Sequence, residues 1–74
     1  MHVTIKLFAT FRNDRFKIDH RVLPDGTDVR AVVLSLGLTE AEIGIIMLNG
    51  RHGELDDRLS DNDTLSLFPL VGGG

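Results

Sequence analysis

Residues 64–74 read TLSLFPLVGGG. The first part alternates: Leu65 and Leu67 fall on one side of an extended chain, with Ser66, Phe68 and Leu70 on the other. Such a segment is a half-buried strand, and Pro69, which lacks an N–H, fits near its end. Three glycines then follow without a side chain among them. At an average glycine usage of about 7%, three in succession arise by chance on the order of 3 times in 10,000. The strand needs an apolar surface elsewhere in the chain to cover Leu65 and Leu67. The glycines need a separate explanation.

Working back from this stretch, HVTIKLF (residues 2–8) has the same period. Val3, Ile5 and Leu7 point one way, and His2, Thr4, Lys6 and Phe8 the other. FKIDHRVL (residues 16–23) alternates again, with Phe16, Ile18, His20 and Val22 as its apolar side. The short charged link RNDR reads as a turn, which makes these two runs an antiparallel hairpin. In PDGT, Pro24, Asp25 and Gly26 break the strand, and Thr27 or Asp28 is placed to cap a helix. Val29, Val32, Val33 and Leu36 then recur at helical spacing, and Gly37 followed by Leu38 fits a Schellman stop.

Thr39 with Glu42 has capping-box spacing and predicts one further helical turn. IIMLNGR reads as a buried strand running into an Asn49-Gly50 turn, and ELDDRLSDND as a polar, turn-rich connection. The order is strand, strand, helix, strand, polar loop, strand. A hairpin, a crossover helix and further strands predict an α+β fold: a mixed sheet with one main helix packed on one face. With first and last strands parallel neighbours, this is the ubiquitin-like β-grasp. The expected division is a β-grasp domain over residues 1–71 and a flexible glycine tail over 72–74.

Composition bounds the function. At 74 residues with 42% hydrophobic and 26% charged residues, the chain is one small domain with a modest core. A net charge of -3 gives no electrostatic footprint for nucleic acid. The absence of cysteine excludes a disulfide framework, a thiolate metal site and a cysteine nucleophile. The start MHVTIKLFAT has no basic region and is interrupted by Lys6, so neither a signal segment nor a membrane span is expected. The cytoplasm is the expected compartment.

The tail suggests chemistry. The residues beyond Leu70 span at most about 15 Å. Backbone without Cβ atoms can thread a narrow channel and present the α-carboxylate of Gly74 to a foreign active site. That carboxylate is a poor acyl electrophile until activated, most economically by ATP as an acyl-adenylate. A sulfur nucleophile then yields a thiocarboxylate, or an amine yields an amide. The chain has neither cysteine nor a Gly-rich loop followed by Lys, so it is a substrate of this chemistry and not its catalyst.

VTIKLFATFR, LNGR and DNDTLSLFPLVGGG together resemble the MoaD/ThiS family of sulfur-carrier proteins, over essentially the whole chain. LFATFR and LFPLVGGG are most similar to the molybdopterin synthase small subunit. The resemblance implies a β-grasp fold and adenylation of Gly74 by an activating enzyme that uses ATP, with no cofactor bound to the carrier itself. Conversion to a thiocarboxylate and transfer of sulfur to a biosynthetic intermediate on a synthase large subunit would follow. A thiazole-forming thiamine carrier, a ubiquitin-like modifier joined through Gly74 to a lysine, and a plain β-grasp interaction module are the alternatives. The free carrier is expected to be a monomer. If the gene continues past Gly74, a protease must first expose the diglycine.

Phe8, Phe68 and Leu70 face away from the helix beside the exit of the tail if the first and last strands are parallel neighbours. They are the candidate grip for a partner while Gly72 and Gly73 form the slender lead-in. The competing reading has Phe8 or Phe11 folded over a loop to complete a minor core. The acidic Glu54, Asp56, Asp57, Asp61 and Asp63 are read as a solvated loop, and DRLSDND lacks the glycine and final Glu of a calcium loop. His2, His20 and His52 have no ligand spacing. His20 is expected as a hydrogen-bonded core or edge histidine, and His52 as exposed.

Overall fold

A computed structural model describes residues 1–71. Strands β1 (His2–Leu7), β2 (Ile18–Val22), β3 (Ile43–Leu48), β4 (Arg51–His52) and β5 (Asp63–Pro69) form a single sheet in the order β2-β1-β5-β3-β4. β1 and β5 are parallel, with Val3 opposite Asp63 and Leu7 opposite Leu67, and the other neighbours are antiparallel. The helix α1 (Val29–Ser35) lies on one face. This is the expected β-grasp.

The alternation of β1 and β5 decides the core. Val3, Ile5, Leu7, Leu65 and Leu67 are buried to 2% exposure or less against Val29, Val32 and Val33 of α1. Seven residues are too few for a helix to persist by propensity, so packing and its ends hold α1 in place. Asp28 caps it, its Oδ1 accepting from the Ala31 N–H at 2.8 Å. At the other end, Leu38 N–H donates to Val33 O at 3.2 Å and Gly37 N–H to Leu34 O at 3.0 Å. Gly37 sits at φ +78°, completing the Schellman stop. Arg30 ties α1 to its surroundings by pairing with Glu40 at 2.9 Å and with Asp56; both carboxylates raise the guanidinium pKa.

The β1–β2 link departs from the expected turn at RNDR. It begins with one 3-10 turn at Ala9–Arg12, which buries Phe11 to 4% exposure. Phe11 is thus the loop aromatic that completes the core. Its apolar ring sets the path of the link, with Arg12 Nε closing onto Leu7 O at 2.7 Å.

β2 also corrects the sequence reading, because its apolar side faces away from the helix. Ile18 and Val22 are 48% and 73% exposed. Directly opposed residues share a face, and Arg21 lies opposite Val3 and Asp19 opposite Ile5. The register therefore turns the charged side of β2 toward α1, while His20 on the open face meets Thr4 Oγ1 at 3.0 Å. His20 is an edge residue, not a core one.

Two smaller differences follow from local bonding. Glu40–Glu42 is one 3-10 turn closed by the backbone, Glu42 N–H to Thr39 O at 3.2 Å, and Thr39 makes no side-chain cap. The acidic connection is only partly solvated. It buries Leu59 to 5% exposure, and Asp63 is 8% exposed. The Asp63 carboxylate accepts from Ser60 N–H at 2.7 Å and from Asn49 Nδ2 at 2.8 Å. Asn49 Oδ1 in turn accepts from Thr64 N–H at 2.8 Å, so the Asn49-Gly50 turn is bonded to the start of β5. Asn49 and Gly50 both have positive φ, as a two-residue hairpin turn requires.

Candidate functional site: the carboxyl end of the paired first and last strands

The parallel pairing of β1 and β5 sets Phe8 beside Phe68 just past Leu7 and Leu67, on the face away from α1. Phe8 N–H donates to Leu67 O at 3.2 Å, and the two rings stack with centroids 4.2 Å apart and planes 12° from parallel. The Arg12 guanidinium lies 5.3 Å from the Phe8 centroid, a cation–π distance. Ile45, opposite Phe68 on β3 and 50% exposed, extends this apolar surface. Ile45 was expected in a buried strand, and its exposure corrects that reading, because the irregularity at Gly44 resets which side each residue of β3 takes.

Gly44 has a second effect. The β3–β5 register pairs Ile43 with Pro69 but Ile45 with Phe68, leaving a bulge at Gly44. A Cβ there would lie 2.6 Å from Pro69 O and 2.9 Å from Leu70 Cα. Only glycine lets the end of β5 run this close to β3. Leu70 N–H then donates to Glu42 O at 3.0 Å, fixing the point where the chain leaves the sheet. We expect Gly44→Ala to cost about 1–3 kcal/mol, since backbone and not a side-chain tip must yield. Chemical denaturation checks it, and an unchanged midpoint would contradict this account of the bulge.

The structure thus brings Phe8 and Phe68 into contact. Leu70, one residue beyond β5 and 66% exposed, borders a shallow depression with Thr10, Phe11, Arg15, Glu42 and Pro69. Gly72, Gly73 and Gly74 lie outside the described residues. Among the described residues no three His, Asp or Glu side chains are grouped to hold a metal ion, and no helix is long and apolar enough to cross a membrane. The arrangement is a stacked aromatic pair beside the point where the chain leaves the sheet.

Residues 5–74 match the ThiS family. Among solved structures, the chain is similar to a Pyrococcus furiosus protein assigned as molybdopterin converting factor, subunit 1. The identity is 28%, with 96% of this chain and 99% of that one covered and a TM-score of 0.78. Similarity extends to the complex of subunits 1 and 2 of the molybdopterin-converting factor from Helicobacter pylori, at 25% identity, full coverage of both chains and a TM-score of 0.66. The small archaeal modifier protein 1 of Haloferax volcanii shares the fold, at 21% identity, 95% and 98% coverage and a TM-score of 0.76. No curated protein matches by sequence.

Proposed function

The chain belongs to the ThiS family, and from that membership we propose that it is a sulfur carrier serving cofactor biosynthesis, of the molybdopterin type. The observation that carries the reading is the family match through Gly74, together with a strand that delivers the chain out beside a half-buried aromatic pair. The Gly74 carboxylate attacks the α-phosphorus of ATP on an activating enzyme, and pyrophosphate leaves. A sulfur nucleophile supplied by a partner displaces AMP from the acyl-adenylate, and the acyl carbon ends as a thiocarboxylate. The carrier contributes the acyl group, and its partners contribute the catalysis.

Gly72 and Gly73 give the narrow approach to the partner's site. Phe8, Phe68 and Leu70 form the grip. Similarity to molybdopterin converting factor subunits at 25–28% identity supports molybdopterin synthesis over thiazole synthesis. The complex formed by the Helicobacter pylori relative supports a large synthase subunit as the sulfur-accepting partner. The cytoplasm, where ATP and such partners reside, is the proposed compartment.

The test is intact-mass analysis after incubation with ATP, a family activating enzyme and a sulfur donor. One O-to-S exchange localised to Gly74 is expected. Isopeptide-linked adducts in cell extract would favour the modifier reading, and neither product with a competent enzyme would leave a plain interaction module. Phe68→Ala should weaken binding to the large subunit about tenfold or more, as truncating a central aromatic anchor does. Calorimetric titration measures it, and unchanged affinity would place the grip elsewhere.

A further inference from the structure

Against the monomer expected from the sequence, we propose that two copies of this chain pair through the free edge of β2, antiparallel, with His20 of each copy facing the other across a twofold axis. The proposal begins with hydrogen-bond phase. Met1 and Leu23 exchange backbone bonds at 2.8 and 2.9 Å, and Leu7 N–H donates to Lys17 O at 3.0 Å. In an antiparallel ladder bonded pairs alternate, so Asp19 and Arg21 spend their backbone groups on β1. Those of Ile18, His20 and Val22 point outward from the sheet. Among the described residues, no other element supplies a backbone partner for them.

An edge of this kind is commonly blunted by proline, a bulge or a lysine within the strand. Over Ile18–Val22 β2 has no proline, bulge or lysine, and the inward charges that do guard it, Asp19 and Arg21, are of opposite sign, so they repel only a mispaired strand. Its charges are Asp19 and Arg21, two residues apart on one side, with Arg21 Nε 2.9 Å from Asp19 Oδ2. Arg21 lowers the pKa of Asp19 through that bond, so the carboxylate is ionised at neutral pH.

These charges select a second copy and its register. Outward groups meet outward groups when Ile18 lies opposite Val22 of the second copy and His20 opposite its own equivalent. The five strand residues then overlap fully, with about six backbone hydrogen bonds. In this alignment Asp19 faces Arg21 of the second copy, and Arg21 faces Asp19. Both pairs sit at the closer, non-bonded positions of the ladder, about 4.5 Å between Cα atoms. Sliding one strand by two residues preserves the bonding phase but sets Asp19 against Asp19, or Arg21 against Arg21. Like charges directly opposite are unfavourable, so one register remains.

The same alignment covers apolar surface. Val22 and Ile18 are 73% and 48% exposed on the open face, and each lies opposite the other across the axis. The sheets join into one of ten strands with both helices on the same side. β5 lies two strand spacings inward of the joined edge, about 10 Å, and the two chain exits emerge at opposite ends. The interface therefore leaves Phe8, Phe68 and the exits clear. It stands independently of any sulfur chemistry, and its test uses none.

Sedimentation equilibrium of the full chain over a range of concentrations should show a reversible monomer–dimer equilibrium. Asp19→Arg and Arg21→Asp should each raise the dimer Kd about tenfold or more, because two attractive pairs become two repulsive ones. The double swap D19R/R21D restores opposite charges and should return Kd to within about threefold of the starting value. Circular dichroism and thermal unfolding monitor the fold of each variant. A chain monomeric at every reachable concentration overturns the proposal. So does a dimer insensitive to both single swaps, or a folded double swap that does not recover.

Discussion

Deletion of Gly74 should lower the rate of thiocarboxylate formation by about 100-fold or more while leaving thermal unfolding unchanged. Removing one residue withdraws the carboxylate by about 3.4 Å. A displacement of about 1 Å in a reacting group already costs on the order of 100-fold, because the attacking oxygen no longer sits in line with the α-phosphorus. Stability should not follow, since among the described residues no core residue lies beyond Leu67. Single-turnover mass spectrometry with the activating enzyme and ATP reads the rate, and calorimetry reads the fold. A variant that is modified at the parental rate would show that the terminal residue is not the acyl carrier.

The second large effect is expected at Leu67. Its side chain is fully buried in β5, between β1 and β3 and in the cluster with the valines of α1. Leu67→Ala should cost about 3–5 kcal/mol, combining the lost transfer energy with the cavity left behind. A chain of 74 residues has a total stability of only about 4–11 kcal/mol, so the loss is a large fraction of the whole. The unfolding midpoint should fall by roughly 15–30 °C. A drop of less than about 5 °C would mean the core closes around the gap.

β1, α1 and β5 were legible because each carries a complete local signal. Two strands alternate over five or more residues, and the helix has both an Asp cap and a Gly-Leu stop. β2 was legible as a strand but not in orientation. Alternation says which side chains share a face, whereas only the pairing of Arg21 with Val3 says which face meets the helix. The Phe8–Phe68 pair could be inferred once β1 and β5 were set parallel, but Ile45 could not, because the Gly44 bulge resets the count of sides. Asp63 was read among solvated acids. Its burial arises from Asn49 and Ser60, which bond it from fourteen and three residues away, and composition holds no trace of that. The glycines were read from composition, and they lie outside the described residues.

The chain leaves the sheet from β5, which has β1 on one side and β3 on the other. On the proposed function, a partner that drew the glycines into its active site would pull along the axis of β5. The hydrogen bonds of both neighbouring ladders lie across that direction, so they must all give way together and cannot unzip one at a time. An exit from β2 or β4 would have allowed peeling. Tension applied at the end of β5 would therefore be met as shear by the middle of the sheet.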